Sequence, residues 1–197
     1  MPDQLLDRQV RLLEHLTSAA GIFGAGRSAL TGHGPQGIHG GLLHVEARFS
    51  HEKRMAKIEW VLTRTLDLLG SDRAQIIRDF VEACPPVSIS WLDNARQFHG
   101  FLSNRWLSQT PEPPYLPDVA AYELAYAAVR AGVRPEVAAM DNASETPSGA
   151  IRRHPNVALL RCAYDIRSIL EGSVGGAVPM RREIGRASCR ERVCLLV

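Results

Sequence analysis

The residues best suited to chemistry are a thiol, an imidazole and two arginines gathered in HPNVALLRCAYDIRSIL, positions 154–170. Cys162 would be the nucleophile and His154 its base. Such a pair needs the base within hydrogen-bond reach and a third group to orient it. His154 lies eight residues away and the sequence offers no orienting partner. Cys162 also falls in an apolar set of alternate positions, where a thiol is ordinarily an inert core residue.

The seven histidines raise metal binding as a second chemistry. His44 and His51 are seven apart, about two helical turns, but neither has a carboxylate at H-E-x-x-H spacing, and both read as surface or capping residues. His99, in RQFHGFL, reads as a packed ring among aromatics. Eight of the sixteen glycines fall between Gly21 and Gly41, without the G-x-x-x-x-G-K-[ST] or strand-bounded G-x-G-x-x-G pattern of a phosphate cradle. That stretch reads as a loop. With no complete catalytic set, an accessory or binding role is expected.

The elements that must position these residues are helices first. Leu5, Leu6, Gln9, Val10, Leu12, Leu13 and Leu16 trace a mostly apolar helical face, and Gly21 is expected to end that helix. A long helix is expected from Leu43 to Leu69, its pattern carried by Phe49, Ile58, Val61, Leu62, Thr65, Leu66 and Leu69, with Gly70 stopping it. Ser71 and Asp72 offer N-cap chemistry to a helix that Pro85 and Pro86 end. A fourth helix runs from about Ser90 to Trp106. Four prolines in positions 111–117 form a linker, and Pro117 suits the first turn of a helix closed by Gly132.

After a second loop, Leu160, Cys162, Tyr164 and Ile166 alternate with Arg161, Ala163, Asp165 and Arg167, the period of a strand with one buried and one solvated face. Val178 to Arg182 would begin another strand. The expected fold class is therefore α+β: a helical domain over 1–132, then a small, truncated antiparallel β region over 133–182.

The remaining fifteen residues, 183–197, look foreign. Glu183 to Val193 resemble the translation of a sequencing-adapter read-through, which would place the natural continuation beyond about Arg182. Setting them aside removes three arginines and two glutamates from 23 basic and 21 acidic side chains and leaves a net charge of +1. That balance gives no whole-chain attraction to nucleic acid or anionic membranes. Cys84 and Cys162 then remain, with no disulfide or zinc spacing. No apolar run approaches the roughly 18 residues of a membrane span and no signal peptide is seen, so a cytoplasmic protein is expected.

Four motifs in order, FVEACPPVSISWLDNARQFHGFL, PPYLPDVAAYELAYA, RHPNVALLRCAYDIRSILE and VPMRR, resemble the MbnC family of methanobactin biosynthesis and, more distantly, HvfC-like proteins. The likeness covers about residues 76–182. It implies a non-catalytic subunit, with no cofactor of its own, of a heterodimer with an MbnB-like iron oxygenase. That partner carries the iron and oxidises cysteines of a ribosomal precursor peptide (MbnA-like) to oxazolone and thioamide, giving a copper-binding metallophore.

By the same likeness the precursor's leader segment docks as an added strand, so Arg161, Ala163, Asp165 and Arg167 are the expected peptide-binding residues. The helix bearing Arg96, His99 and Arg105 is the expected partner-binding surface. The family's sheet should continue after Arg181 and Arg182, where this sequence departs from the pattern. The rival reading is a DNA-binding regulator of the HvfC-like family. A DNA-reading helix should be basic, and the helix from Ser90 to Trp106 sets only Arg96 and Arg105 against Asp93. A free-standing thiol enzyme using Cys162 or Cys84 is the third.

Overall fold

Prolines and glycines set several of the helix ends. The computed structural model describes residues 2–24, 37–132, 158–166, 170 and 194–196. Its helices are α1 (Pro2–Thr17), α2 (Ala19–Phe23), α3 (Gly40–Val61), α4 (Thr63–Leu68), α5 (Arg73–Ala83), α6 (Trp91–Ser108) and α7 (Leu116–Arg130). α5 stops just ahead of Pro85 and Pro86, which cannot continue it, and α7 opens with proline in its first turn. Gly70 and Gly132 take the positive φ angles of 53° and 66° that an L side chain resists. Ser18 caps α2 by accepting the Gly21 N–H at 3.0 Å, and His39 caps α3 through Nδ1, which accepts from Gly41 N–H at 3.2 Å.

Two compact units divide the chain, Met1–Arg105 and Trp106–Val197. The boundary expected after position 132 falls at the edge of the described residues. The first unit is centred on Phe80 and Phe98, both fully buried, with ring centroids 4.9 Å apart and planes at 85°. Ile58, Leu62, Leu66 and Leu102 complete this core. In the second unit α7 buries Leu116, Val119, Ala120, Ala125, Ala127 and Ala128.

One charge sits in the first core. Arg54, 8% exposed, donates from Nε to Asn94 Oδ1 at 3.1 Å and from Nη2 to Gln97 Oε1 at 2.7 Å, and its guanidinium lies 4.4 Å from the Phe80 ring centre. Burial pushes the Arg54 pKa below its ordinary value. The two amides reach on into the loop between α5 and α6. Asn94 Nδ2 donates to the carbonyls of Ser88 and Ser90, and Gln97 Nε2 to that of Pro85, while Lys57 Nζ donates to that of Ile89.

Several expectations need correction. The described residues are helical, not α+β. Their strand pairing amounts to β1 (Ala158–Leu160) lying antiparallel to β2 (Cys194–Leu196), three residues each, with Leu159 opposite Leu195. An alternating sequence favours extended chain with one face inward, but a sheet also needs a neighbour for its N–H and C=O groups. Past Leu160 a helix supplies it: the Tyr164 N–H donates to Asp118 Oδ2 on α7 at 2.8 Å. The strand expected from Val178 lies outside the described residues, as does the histidine of the opening motif, His154.

The long helix expected from Leu43 to Leu69 is broken at Leu62, where Thr63 Oγ1 donates to the Glu59 carbonyl at 2.7 Å. Asp72 occupies the N-cap of α5 without making a side-chain cap bond. The apolar face of α1 is largely exposed. Leu5, Leu6 and Leu13 are each 61% exposed, and only Leu12 and Leu16 are half-buried. Among the described residues no helix is long and apolar enough to cross a membrane.

These burials predict unequal costs. Phe98→Ala should lower the unfolding free energy by about 3–5 kcal/mol through the cavity it leaves. Leu13→Ala should change it by no more than about 0.5 kcal/mol. Urea unfolding followed by circular dichroism measures both, and equal losses would contradict the exposure of α1.

Candidate functional site

The extended chain from Leu160 on is held against α7 through Leu160 and Tyr164. Leu160 packs on a cluster of Ala125, Tyr122 and Val129. The Tyr164 ring meets Tyr115 edge-on at 6.2 Å while its backbone N–H is taken by Asp118. Ile166 is 2% exposed. Leu160, Cys162 and Tyr164 are half-buried, whereas Arg161 and Ala163 between them are exposed and Asp165 is half-buried. Burial follows the two-residue period of the sequence from Leu160 to Tyr164 and departs from it at Asp165, expected on the solvated face, while pairing with β2 reaches only Leu160. Arg167 lies outside the described residues.

This arrangement can present side chains in a fixed order at two-residue spacing. The Asp118 carboxylate occupies the Tyr164 N–H, so that backbone donor is not offered to a ligand. What reaches solvent is one cation, Arg161, one residue on from a strand pairing and two from a small residue, Ala163. Such a surface can dock an extended chain bearing acidic groups. Cys162 is half-buried and, like Cys84, is not in a disulfide.

The three α6 residues do not form one cluster. Arg96 pairs with Asp93 one turn back on its own helix, Nη1 to Oδ1 at 3.4 Å. Arg105 lies nine positions on, about 180° around the helix, and pairs tightly with Asp79 of α5, Nη1 to Oδ2 at 2.7 Å. That second bond ties α5 to α6. His99 is half-buried. Both arginines are engaged by carboxylates, which leaves α6 without the basic face a DNA reader uses.

His44 and His51 are not joined around a common ligand; they meet α2 separately. The His44 Nδ1 lies 3.0 Å from the Gly21 carbonyl, and the His51 ring meets Phe23 edge-on at 5.3 Å. His51 Nδ1 is buried with no hydrogen-bond partner. Among the described residues no three His, Cys, Asp or Glu side chains are grouped to hold a metal ion.

Sequence reading missed two residues that matter most here, Asp118 and Arg54. Asp118 follows the first-turn proline and looks like an ordinary helix-start acid. Arg54 carried a signal: it stands seven residues from both Ala47 and Val61, and all three are buried. A charged residue in such an apolar row marks a core cation.

A pH dependence follows from the two half-buried rings. Burial holds His51 and His99 below the usual imidazole value, and at His51 the Arg54 charge acts in the same direction while Glu52 opposes it. The unfolded chain takes up these protons near about pH 6.5, whereas the folded chain keeps both rings neutral to lower pH. Stability is therefore fully present above about pH 6.5 and is lost as pH falls through the lowered folded values. Melting temperatures across that range should decline, and His99→Gln should flatten the decline. An unchanged slope in that variant would remove His99 from the effect. None of the family models, curated proteins or solved structures compared with the chain matches it.

Proposed function

We propose that this chain is the non-catalytic, peptide-holding subunit of a heterodimeric iron-dependent oxygenase, acting in the cytoplasm on a ribosomal precursor peptide. The observation that carries the reading is the ordered exposure along 160–166. Leu160 and Tyr164 anchor the segment on α7, Ile166 is buried, and Arg161 and Ala163 stand outward where a leader peptide can lie. The four motifs resembling MbnC support the same reading and supply the partner: an MbnB-like oxygenase that carries the iron and converts cysteines to oxazolone and thioamide in making a copper chelator. This chain's part is to bind and orient. Arg161 pairs with an acidic leader side chain, and Ala163 lets the peptide backbone approach closely.

The exposed side of α6 near Arg96 is the surface offered to the oxygenase. Its ion pair with Asp93 is loose and 38% exposed on the arginine side, so exchanging it for a partner's carboxylate costs little. Arg105, already committed to Asp79, acts by fixing α6 on α5.

Two measurements test the proposal. Co-expressed with the oxygenase, the chain should elute as a heterodimer in size-exclusion chromatography, and separate monomers would refute the complex. In calorimetry against the leader peptide, Arg161→Glu should weaken binding about tenfold, with a thermal melt alongside as the check on folding. Tyr164→Ala should instead lower stability by a few kcal/mol. Leader affinity unaffected by Arg161→Glu would take this segment out of the docking surface.

A further inference from the structure

α3 has two apolar faces. Leu43, Ala47, Ile58 and Val61 point into the core of the first unit together with Arg54. At about 100° per residue, Leu42, Val45, Phe49, Ala56 and Trp60 fall on nearly the opposite side. Leu42 is 64% exposed, Val45 62%, Phe49 51% and Trp60 69%, and Ala56 is exposed as well. A helix apolar on both sides is ordinarily covered on both. The outer stripe runs the whole of Gly40–Val61, about 33 Å at 1.5 Å per residue.

The charges beside the stripe specify what covers it. One border carries Glu46, then Lys53 and Lys57; the other carries Arg48, then Glu52 and Glu59. Along each border the sign reverses between the first half of the helix and the second, in opposite senses on the two borders. When two copies of one helix pair antiparallel, each border meets itself running backwards. Glu46 then faces Lys53 and Lys57 of the second copy, and Arg48 faces Glu52, each twice. A parallel pair would bring the two different borders together, Glu46 beside Arg48 and Lys53 beside Glu52, so the charges make the face complementary to itself and the order of its apolar residues sets the direction.

The apolar positions agree with the same register. With the two-fold axis between Ser50 and His51, the midpoint of Gly40–Val61, Val45 meets Ala56 of the second copy, Leu42 meets Trp60, and the two Phe49 rings flank the axis. A small residue is thus set against a branched one, and a large ring against a leucine. We infer that the outer face of α3 is a homodimer interface in which two copies of this chain pair antiparallel along α3. This pairing does not rest on the oxygenase reading.

Two helices in contact over about 33 Å bury less than the ~800 Å² per side of a standard interface. The dimer is therefore expected to dissociate on dilution. The test is sedimentation velocity of the full chain over a micromolar concentration series, with thermal melts as a check on folding. The wild-type chain should move from monomer to dimer as concentration rises. Glu46→Lys places like charges together twice and should weaken association about tenfold or more. Adding Lys53→Glu to it restores both pairs with reversed sign and should recover association. Phe49→Glu should abolish the dimer.

If Phe49→Glu also lowers the melting temperature, the charge-reversal pair, made at two exposed sites, carries the test without it. A wild-type chain monomeric at every concentration overturns the inference. A double variant no better associated than Glu46→Lys alone overturns it too, because that result would leave a sticky face without the self-complementary register.

Discussion

The first unit depends on a cation in its core. Arg54 enters from α3, lies over Phe80 of α5 and is held by Asn94 and Gln97 of α6, so one guanidinium sets the mutual positions of three helices. None of the ion pairs among the described residues involves it. Removing an ion from water costs several kcal/mol even after relaxation. Two hydrogen bonds to a charged group return about 1.5–3 kcal/mol each, and the ring contact about 0.5–2 kcal/mol. The terms nearly cancel. Arg54 contributes register more than net stability, because an aliphatic side chain in its place would impose no fixed direction on Asn94 or Gln97.

The second unit replaces a sheet with a helix as the neighbour of an extended chain. Asp118 does for Tyr164 what an adjacent strand would do, accepting its N–H, and Tyr115 and the Ala125 cluster supply the apolar surface. An extended segment can therefore keep alternate side chains in and out from Leu160 to Tyr164, with a three-residue strand pairing at its start. The alternation that looks like a sheet in the sequence is a property of the chain's own two sides.

What could be read from the sequence was local. Pro85 with Pro86, Pro117, Gly70 and Gly132 place helix ends because each restricts φ or removes a donor within a residue or two of its own position. The in-and-out order from Leu160 to Tyr164 was legible for the same reason, and it fails at Asp165. The partners of these elements were not. α1 and α3 carry more apolar positions than one face can bury, so periodicity alone could not say that Leu12 and Leu16 turn inward while Leu6 and Leu13 do not, or that Phe49 lies outside. Arg54 finds its amide partners 40 and 43 residues away. Asp118 and Tyr164 are 46 apart. Contacts at such separations leave no periodic trace.

The loop from Cys84 to Ser90 illustrates what the core cation does at a distance. It holds two prolines and exposes Val87 and Ile89, 77% and 90% accessible, the composition of a protease-sensitive link between helices. Yet the carbonyls of Pro85, Ser88, Ile89 and Ser90 are each bound by a side chain from α3 or α6. A protease must draw a substrate into its cleft as a free extended strand, and here that requires releasing Asn94 and Gln97, hence uncovering Arg54. Cleavage of this outwardly vulnerable loop is thereby linked to opening of the core itself, and the rate of nicking at Val87 or Ile89 reports on the helices rather than on the loop.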